Sequence, residues 1–561
     1  MSVLQQNLAA RIDQALAREP ADLVIRGACL LNTATGRIEG PMDIAIAGDT
    51  IVGTHGVYEG QHEIDAKGRV VAPGFIDTHV HVESSMVLPA EFERGVLPRG
   101  TTTAICDPHE IANVIGLDGI TYFIEASRQL AMTLKVNLSS CVPATELETA
   151  GARLEADDLL PLLADPAVIG LAELMNFPGV IHKDAGMLAK LERFHNQHID
   201  GHSPLLRGSE LNAYLATGVL TEHECTSLEE AEEKLAKGMH ILLREGSIAK
   251  NVTTLAPVIT DATWMRCAFC TDDRNPLEIR EEGHIDHAIR LAIRAGAPAI
   301  PAYRAATLGA ALAFGLRDRG VIAPGKRADL VILDDLEEVR VAEVVVGGRP
   351  AADALAEPRP HPAAPGYNSV RREPVAATDL ALDGDTRTHV IGALPFSLLT
   401  DHLEATPAED PEIARLCVLE RHGLNGNIGK GWVKGFGRVR GAIATSIGHD
   451  SHNLITVGDD PADMARATNH LIELQGGAVV VRDGQVLADL PLPIAGLMSD
   501  QNLAFVDDRL IELRAAARNI GCTLQEPLLQ LAFLPLPVIP HLKLTDRGYV
   551  VAGPEGLRLL D

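Results

Sequence analysis

The chain has 561 residues, and since single domains usually span ~100–200 residues, we expect two or three domains. Its net charge of −27 disfavours a nucleic-acid partner, because an acidic surface is repelled by phosphate backbones. It contains no apolar run of ~18 residues that would span a membrane, and eight cysteines in so long a chain do not indicate a disulfide scaffold. The first residues lack the pattern of a signal peptide, so we expect a cytoplasmic protein acting on a small neutral or cationic molecule.

The first 72 residues predict a helix followed by a small β domain. Residues 1–20 have the apolar spacing of an amphipathic helix. Short β-like runs follow at 23–25, 29–31, 44–46 and 50–52. The glycines between them are turn signals at Gly27, Gly36, Gly40, Gly48 and Gly53. We expect a β-sandwich built from 21–72 and from the later segment 318–355, where β-like runs return.

The next part of the chain alternates short apolar runs with helical stretches. Eight such runs lie at 70–76, 101–106, 135–141, 168–174, 199–202, 218–222, 240–245 and 267–271. Strands that alternate with helices predict a parallel sheet. The span 73–317 has the roughly 250 residues of a closed (β/α)₈ barrel of the TIM type. The alternative, an open doubly wound sheet, usually has a glycine-rich loop after its first strand, where this chain has HVHVESS.

The last part of the chain predicts a separate domain. Residues 356–371 are rich in proline and alanine and read as a linker. Beyond them, residues 372–561 mix a predicted strand at 478–482 with predicted helices at 461–475 and 507–519. This mixture indicates a C-terminal α+β domain.

His79 and His81 are the first candidate metal ligands. Residues i and i+2 of a strand point to the same side, so both imidazoles can reach one ion. They end the first barrel segment, and active sites of such barrels lie at the carboxyl ends of the strands. An H-x-H pair alone is a weak signal among 21 histidines. The apolar strand before it makes the pair more specific.

Four more candidate ligands end other predicted strands, namely Glu173, His202, His223 and Asp272. A charged side chain that ends an apolar strand needs a partner or a metal ion. Because parallel strands of one barrel end on one face, these residues and the histidine pair are expected to converge. Mixed imidazole and carboxylate ligands suit Zn, Fe, Mn or Co better than Mg or Ca.

These residues and their flanking sequences resemble the amidohydrolase superfamily. The stretches that carry the superfamily resemblance are 73–81 (PGFIDTHVH), 305–307 (AAT) and 320–331 (GVIAPGKRADLV). More narrowly, the chain resembles the bacterial adenine deaminase family. The stretches that carry this narrower resemblance are 81–86 (HVESSM), 106–110 (CDPHE), 244–247 (REGS), 270–276 (CTDDRNP), 283–286 (GHID), 449–453 (HDSHN), 492–499 (LPIAGLMS) and 535–540 (PLPVIP).

The family resemblance implies a site with two divalent ions, iron or manganese, with zinc as an alternative. His79 and His81 would bind one ion together with Asp272, whereas His202 and His223 would bind the other. Many amidohydrolases bridge two metals with a carboxylated lysine on the fourth strand. This chain has Glu173 on that strand and no lysine, and the resemblance implies that the glutamate bridges directly.

The resemblance implies hydrolytic deamination of adenine to hypoxanthine and ammonia, by attack of a metal-activated hydroxide on C6. Asp272 is the candidate catalytic group that takes the proton of the nucleophile and passes it to ammonia, and Glu173 is a possible relay to N1. His109, Arg244 and Glu245 end other strands and are candidates for binding the base. Alternatively, Arg244 and Glu245 pair locally and His109 supports a ligand.

Two other functions remain open from the sequence. One is the hydrolysis of a different cyclic amide or amidine by the same fold. The other is a non-catalytic homologue used for binding or assembly, although such proteins usually lose metal ligands and all six are present here. The resemblance further implies a homo-oligomer, with a dimer favoured.

Overall fold

The computed structural model describes residues 2–553 and 556–560 and contains both strands and helices throughout. The strands are β1 (Ala21–Asn32), β2 (Arg37–Ala47), β3 (Thr50–Gly53), β4 (Gly60–Asp65), β5 (Val70–Pro73), β6 (Phe75–Val80), β7 (Thr101–Cys106), β8 (Thr133–Leu138), β9 (Val168–Leu174), β10 (His198–Gly201), β11 (Thr221–Glu222), β12 (His240–Arg244), β13 (Cys267–Cys270), β14 (Leu330–Asp335), β15 (Arg340–Val346), β16 (Arg349–Pro350), β17 (Thr388–Ala393), β18 (Thr400–Ala405), β19 (Ala414–Leu419), β20 (Ile428–Lys434), β21 (Ala442–Thr445), β22 (Leu454–Gly458), β23 (Gly477–Arg482), β24 (Gln485–Pro491), β25 (Leu542–Thr545), β26 (Gly548–Gly553) and β27 (Gly556–Leu559).

The α-helices are α1 (Val3–Ala15), α2 (Pro89–Val96), α3 (His109–Ile115), α4 (Leu117–Ser127), α5 (Ala156–Leu159), α6 (Phe177–Ile181), α7 (Ala185–Phe194), α8 (Gly208–Leu215), α9 (Leu228–Ala236), α10 (Val252–Leu255), α11 (Pro276–Glu281), α12 (Ile285–Arg294), α13 (Ala299–Arg304), α14 (Ala310–Ala313), α15 (Ala351–Ala356), α16 (Ala377–Leu380), α17 (Pro461–Leu474), α18 (Leu503–Asn519) and α19 (Pro527–Ala532). Among the described residues, no helix is both long enough and apolar enough to cross a lipid bilayer.

Strands β6 to β13 form the predicted barrel, and this prediction is confirmed. Strands β6–β10 pair in parallel in chain order, as do β11–β13. Backbone hydrogen bonds close the ring: the amide of His81 donates to the carbonyl of Asp272 at 3.1 Å, and the amide of Leu220 donates to Ile199 at 3.1 Å. The barrel therefore collects the carboxyl ends of all eight strands on one face.

The first predicted barrel run, 70–76, is two strands rather than one. Strand β5 pairs with β1 and β14 in the small β domain, and β6 begins the barrel. The chain passes between the two sheets at Gly74, where a Cβ atom would lie 2.1 Å from Oγ1 of Thr102. Only glycine permits this close approach. The single apolar run at 70–76 is therefore divided between the small β domain and the barrel.

The small β domain is one hydrogen-bonded sheet with the order β16-β15-β14-β5-β1-β2-β3, and β4 also pairs with β1. Segments from before and after the barrel thus share one core, which includes Ile25, Ile46 and Ile332. Gly27, expected to be a turn, instead lies inside β1 with φ of 62°, at a register shift between Ile25 and Ala28. It forms a bulge, which bends the strand without ending it.

The C-terminal α+β domain is built on an eight-stranded sheet with the order β18-β17-β20-β19-β22-β21-β23-β24. Helix α17 packs against β21, β22 and β23, and α18 packs against β24. The domain also covers the barrel, because Phe533 and Leu536 share an apolar cluster with Cys141 and Met175 of the barrel loops. The limits proposed for the domains and for the linker stay predictions.

Candidate metal centre

The six predicted ligands lie together at the carboxyl ends of the barrel strands. His79 is in β6 and Glu173 is in β9. The others follow the ends of β6, β10, β11 and β13, and they are His81, His202, His223 and Asp272. All six side chains are buried. A buried set of this kind needs mutual compensation or bound cations, because isolated charges are costly away from water.

One part of the cluster joins the histidine pair to two carboxylates. Nε2 of His81 lies 3.2 Å from Nε2 of His79, 3.2 Å from Oε1 of Glu173 and 3.0 Å from Oδ1 of Asp272. Nε2 of His79 lies 3.6 Å and 3.7 Å from the same two oxygens. Ligand atoms bound at ~2.0–2.2 Å to one ion have separations of this order, so these four side chains can surround one metal ion.

The other part of the cluster uses the second oxygen of the same glutamate. Oε2 of Glu173 lies 2.6 Å from Nδ1 of His202 and 3.3 Å from Nε2 of His223. Each oxygen of Glu173 therefore faces a different pair of imidazoles. A carboxylate in this position can bind two ions at once, one through each oxygen.

The hydrogen-bond partners of His79 and His81 favour the imidazole tautomers that suit metal binding. Nδ1 of His79 lies 3.0 Å from Oδ2 of Asp200, and Nδ1 of His81 lies 3.0 Å from the carbonyl of Asp107. Both acceptors hold the ring proton on Nδ1, which leaves the Nε2 lone pairs directed at each other. Such pairs of outer partners are typical of metal-binding histidines. The donor set therefore fits a divalent ion.

Charge compensation within the cluster is strong even without an ion. Burial raises the pKa of Glu173, but hydrogen bonds from His202, His223 and the histidine pair outweigh it and leave that pKa well below its usual value. Burial lowers the pKa of His79, but Asp200, Asp272 and Glu173 raise it well above the usual value. Bound cations would replace the protons that these imidazoles otherwise hold.

Asp272 is fixed by its backbone and by Arg244. Its φ of 57° lies in the left-handed region, which an aspartate adopts at a cost of roughly 1–2 kcal/mol. Its amide donates to the carbonyl of His79 at 2.9 Å, which holds this conformation. The Arg244 guanidinium binds both oxygens of Glu224 and also Oδ2 of Asp272. Arg244 thus orients the predicted ligand Asp272 and is not among the residues that line the cavity.

The other two predicted base-binding residues lie in different places. His109 lines the cavity beside the ligands, with Nδ1 2.9 Å from Oδ2 of Asp107 and 3.5 Å from Oε1 of Glu173. Glu245 lies outside the cavity and accepts from the amide of Val252 at 3.3 Å. Burial raises its pKa to about 7.

The C-terminal domain closes the cavity with residues that the sequence analysis did not assign to the site. The side chains that line this outer wall are Leu398, His449, Asp450, Phe533 and Leu536. His449 and His452 both contact Glu110 on α3. Asp200 was also missed, although its position in β10, two residues before His202, could have indicated an inward side chain.

Two family models match the chain. The amidohydrolase family matches residues 70–351, and the adenine deaminase C-terminal domain matches residues 395–553. The chain is 57% identical over 554 residues to a protein of Methylobacterium nodulans named adenine deaminase, covering 97% of this chain and 98% of that protein. The chain belongs to the adenine deaminase family of amidohydrolases. Other members named adenine deaminase, from Cereibacter sphaeroides and Sinorhizobium fredii, are each 55% identical and cover 98% and 96% of the chain, and 98% and 97% of their own lengths.

We expect Asp200→Asn to weaken Mn²⁺ binding about 10- to 100-fold, because the substitution removes the charge that orients the His79 ring. The measurement is competition between the purified protein and a chelator of known affinity. Asp157→Asn is the matched control, since Asp157 is exposed and pairs with Arg193. Equal Mn²⁺ affinity in wild type and Asp200→Asn would show that this carboxylate does not support the centre.

Proposed function

We propose that this protein deaminates adenine hydrolytically, giving hypoxanthine and ammonia, with two divalent ions per chain. The observation that carries the proposal is the position of Glu173, whose two oxygens face separate imidazole pairs. Fe(II) and Mn(II) are the proposed ions and Zn(II) is the alternative, all three being compatible with imidazole and carboxylate ligands. The names of the relatives support adenine as the substrate.

In this proposal His79, His81 and Asp272 would hold one ion, His202 and His223 would hold the other, and Glu173 would contribute one oxygen to each set. Divalent ions held there would lower the pKa of a coordinated water to about 7 and would so supply a nucleophile at neutral pH. The proposed ligand side chains would fix the position of that nucleophile relative to C6 of the base.

Asp272 and Glu173 are the proposed proton carriers. Burial raises the pKa of Asp272, but Arg244 and the histidine pair lower it well below its usual value, so this carboxylate is ionised and can accept a proton. Asp272 would then pass the proton to the departing ammonia, and Glu173 would relay one to N1. His109 is the proposed contact to the base, because it lies in the cavity wall next to Glu173.

The direct test is turnover by metal-stripped protein reloaded with Fe(II), Mn(II) or Zn(II). We expect adenine to give hypoxanthine and ammonia in equal amounts after reloading, and no product from the stripped protein. Product formation is followed by absorbance and by an ammonia assay. Metal loading without adenine turnover would contradict the proposal and favour another cyclic amide or amidine as substrate. A chain that never holds metal would favour a non-catalytic role.

We expect Asp272→Asn to lower kcat for adenine by about 10²- to 10⁴-fold at saturating Mn²⁺, because the amide cannot carry the proton. Metal content is measured in the same samples to separate proton transfer from ion loss. Asp261→Asn, at an exposed position, is the control. Full turnover by Asp272→Asn with both ions bound would assign the proton transfer to another group.

We also propose a homodimer in the cytoplasm. Along α1 and its end, Leu4, Leu8, Ile12 and Leu16 are exposed at intervals of four residues, which forms one apolar stripe. A stripe of this kind can pair with itself across a twofold axis. All eight cysteines are free thiols, which suits a reducing compartment.

We expect wild type to sediment as a dimer at micromolar concentration and the double variant Leu8→Gln, Ile12→Gln to sediment as a monomer that retains its metal. The substitutions remove apolar surface from the stripe without touching the barrel. A monomeric wild type, or a variant that stays dimeric, would exclude the stripe as the interface.

A further inference from the structure

Two polar side chains of the C-terminal domain, Asp450 and His449, line the cavity and have polar atoms without a hydrogen-bond partner in the described part of the chain. Asp450 is 1% exposed, and neither carboxylate oxygen has a hydrogen-bond partner within residues 2–553 and 556–560. His449 is 2% exposed, and its Nε2 likewise has no partner in the described part of the chain. Buried polar groups are nearly always satisfied, so these atoms indicate a polar ligand.

The unused atoms lie one imidazole ring away from the proposed metal ligands. His109 spans the gap, because its Nδ1 lies 3.5 Å from Oε1 of Glu173 and its Nε2 lies 3.8 Å from Oδ1 of Asp450. A molecule that contacts both the metal centre and Asp450 must therefore extend past His109. This arrangement suits a small ring system that reacts at one edge and is recognised at the opposite edge.

The two side chains offer one acceptor and one donor. The carboxylate oxygens of Asp450 are hydrogen-bond acceptors. Nδ1 of His449 lies 2.7 Å from Oε1 of Glu110, and although burial lowers the pKa of His449, Glu110 and Asp273 raise it to about 9. The contact with Glu110 favours the imidazolium form of His449, in which the unpartnered Nε2 is a hydrogen-bond donor. The Phe533 ring stacks on the imidazole at 4.3 Å with 4° between the planes, which fixes the orientation of the donor.

A free purine base has a complementary hydrogen-bond donor and acceptor on the edge away from C6. Its imidazole ring carries an N–H at N9, and the neighbouring N3 accepts a hydrogen bond. An N9-substituted purine, such as a nucleoside, has lost that N–H and adds a substituent that the cavity lined by Leu536 and Phe533 would have to hold. Loss of a required hydrogen bond to a buried charged group is a strong basis for rejecting an analogue.

We propose that Asp450 accepts the imidazole N–H of the purine while His449 donates to N3, so that the C-terminal domain selects the free base over N9-substituted purines. The inference rests on the proposed adenine deamination and adds to it a recognition role for residues outside the barrel. Glu110 acts as a positioning residue, because it holds His449 and His452 against the barrel.

The test compares Mn²⁺-loaded wild type with Asp450→Asn, which keeps the size of the side chain but removes its charge. We expect KM for adenine to rise about 10- to 100-fold with a much smaller change in kcat, because the hydrogen bond is present in both the ground state and the transition state. Binding of hypoxanthine, followed by calorimetry, should weaken by a similar factor. Asp410→Asn is the control, since Asp410 pairs with Lys434 at the surface of the same domain.

A second measurement needs no variant. Wild type should bind adenine at least tenfold more tightly than 9-methyladenine, and in Asp450→Asn this preference should fall toward equality. Equal binding of the two bases by wild type, or an unchanged KM for adenine in Asp450→Asn, would overturn the recognition role while leaving deamination intact. Failure of wild type to deaminate adenine would instead overturn the proposed function, and the recognition role with it.

Discussion

The structure depends on one buried carboxylate, Glu173, placed between two pairs of imidazoles, with His109 also nearby. Burial of a charge without compensation is costly, and each oxygen of Glu173 is compensated by a different histidine pair. The barrel makes this possible, because strands β6, β9, β10, β11 and β13 end on one face and bring ligands distant in sequence to one point. The same arrangement that stabilises the carboxylate forms two adjoining ligand sets.

A second layer of polar groups holds the ligands in position. Asp200 and the carbonyl of Asp107 fix the rings of the histidine pair, and Arg244 connects Asp272 to Glu224. Phe533, Leu536 and Leu398 of the C-terminal domain line the cavity next to these groups. Charges in a closed cavity of this kind interact more strongly than in water. The C-terminal domain, which is separate in sequence from the barrel, therefore contributes part of the cavity wall.

The barrel, and the convergence of the six predicted ligands at its strand ends, could be predicted because the signals are local. An apolar run followed by His79 and His81, or by Glu173, indicates within a few residues both a strand and the end of it that carries polar side chains. The division of the first run at Gly74 could not be predicted, because it depends on the approach of Thr102 from the next strand. Gly27 was misread as a turn for a similar reason, since pairing with β2 continues on both sides of the bulge.

Contacts between distant segments were the least predictable part of the site. Glu110 meets His452 across more than three hundred residues, and no local pattern indicates that pairing. Arg244 was expected to pair with Glu245 or to contact the base. Its side chain instead binds Glu224 and Asp272, because the ends of the neighbouring strands bring these two carboxylates next to it. The sequence around His449 and Asp450 was recognisable as a family feature, whereas its position over the barrel required the three-dimensional structure.

The central claim is that a single carboxylate joins two metal ions. Anomalous X-ray diffraction from crystals of the Mn²⁺-loaded protein tests it most directly, since it locates each ion independently of activity. We predict two anomalous peaks, one next to His79 and His81 and one next to His202 and His223, with one oxygen of Glu173 bound to each ion. A single peak, or two peaks with Glu173 bound to neither ion, would contradict the account.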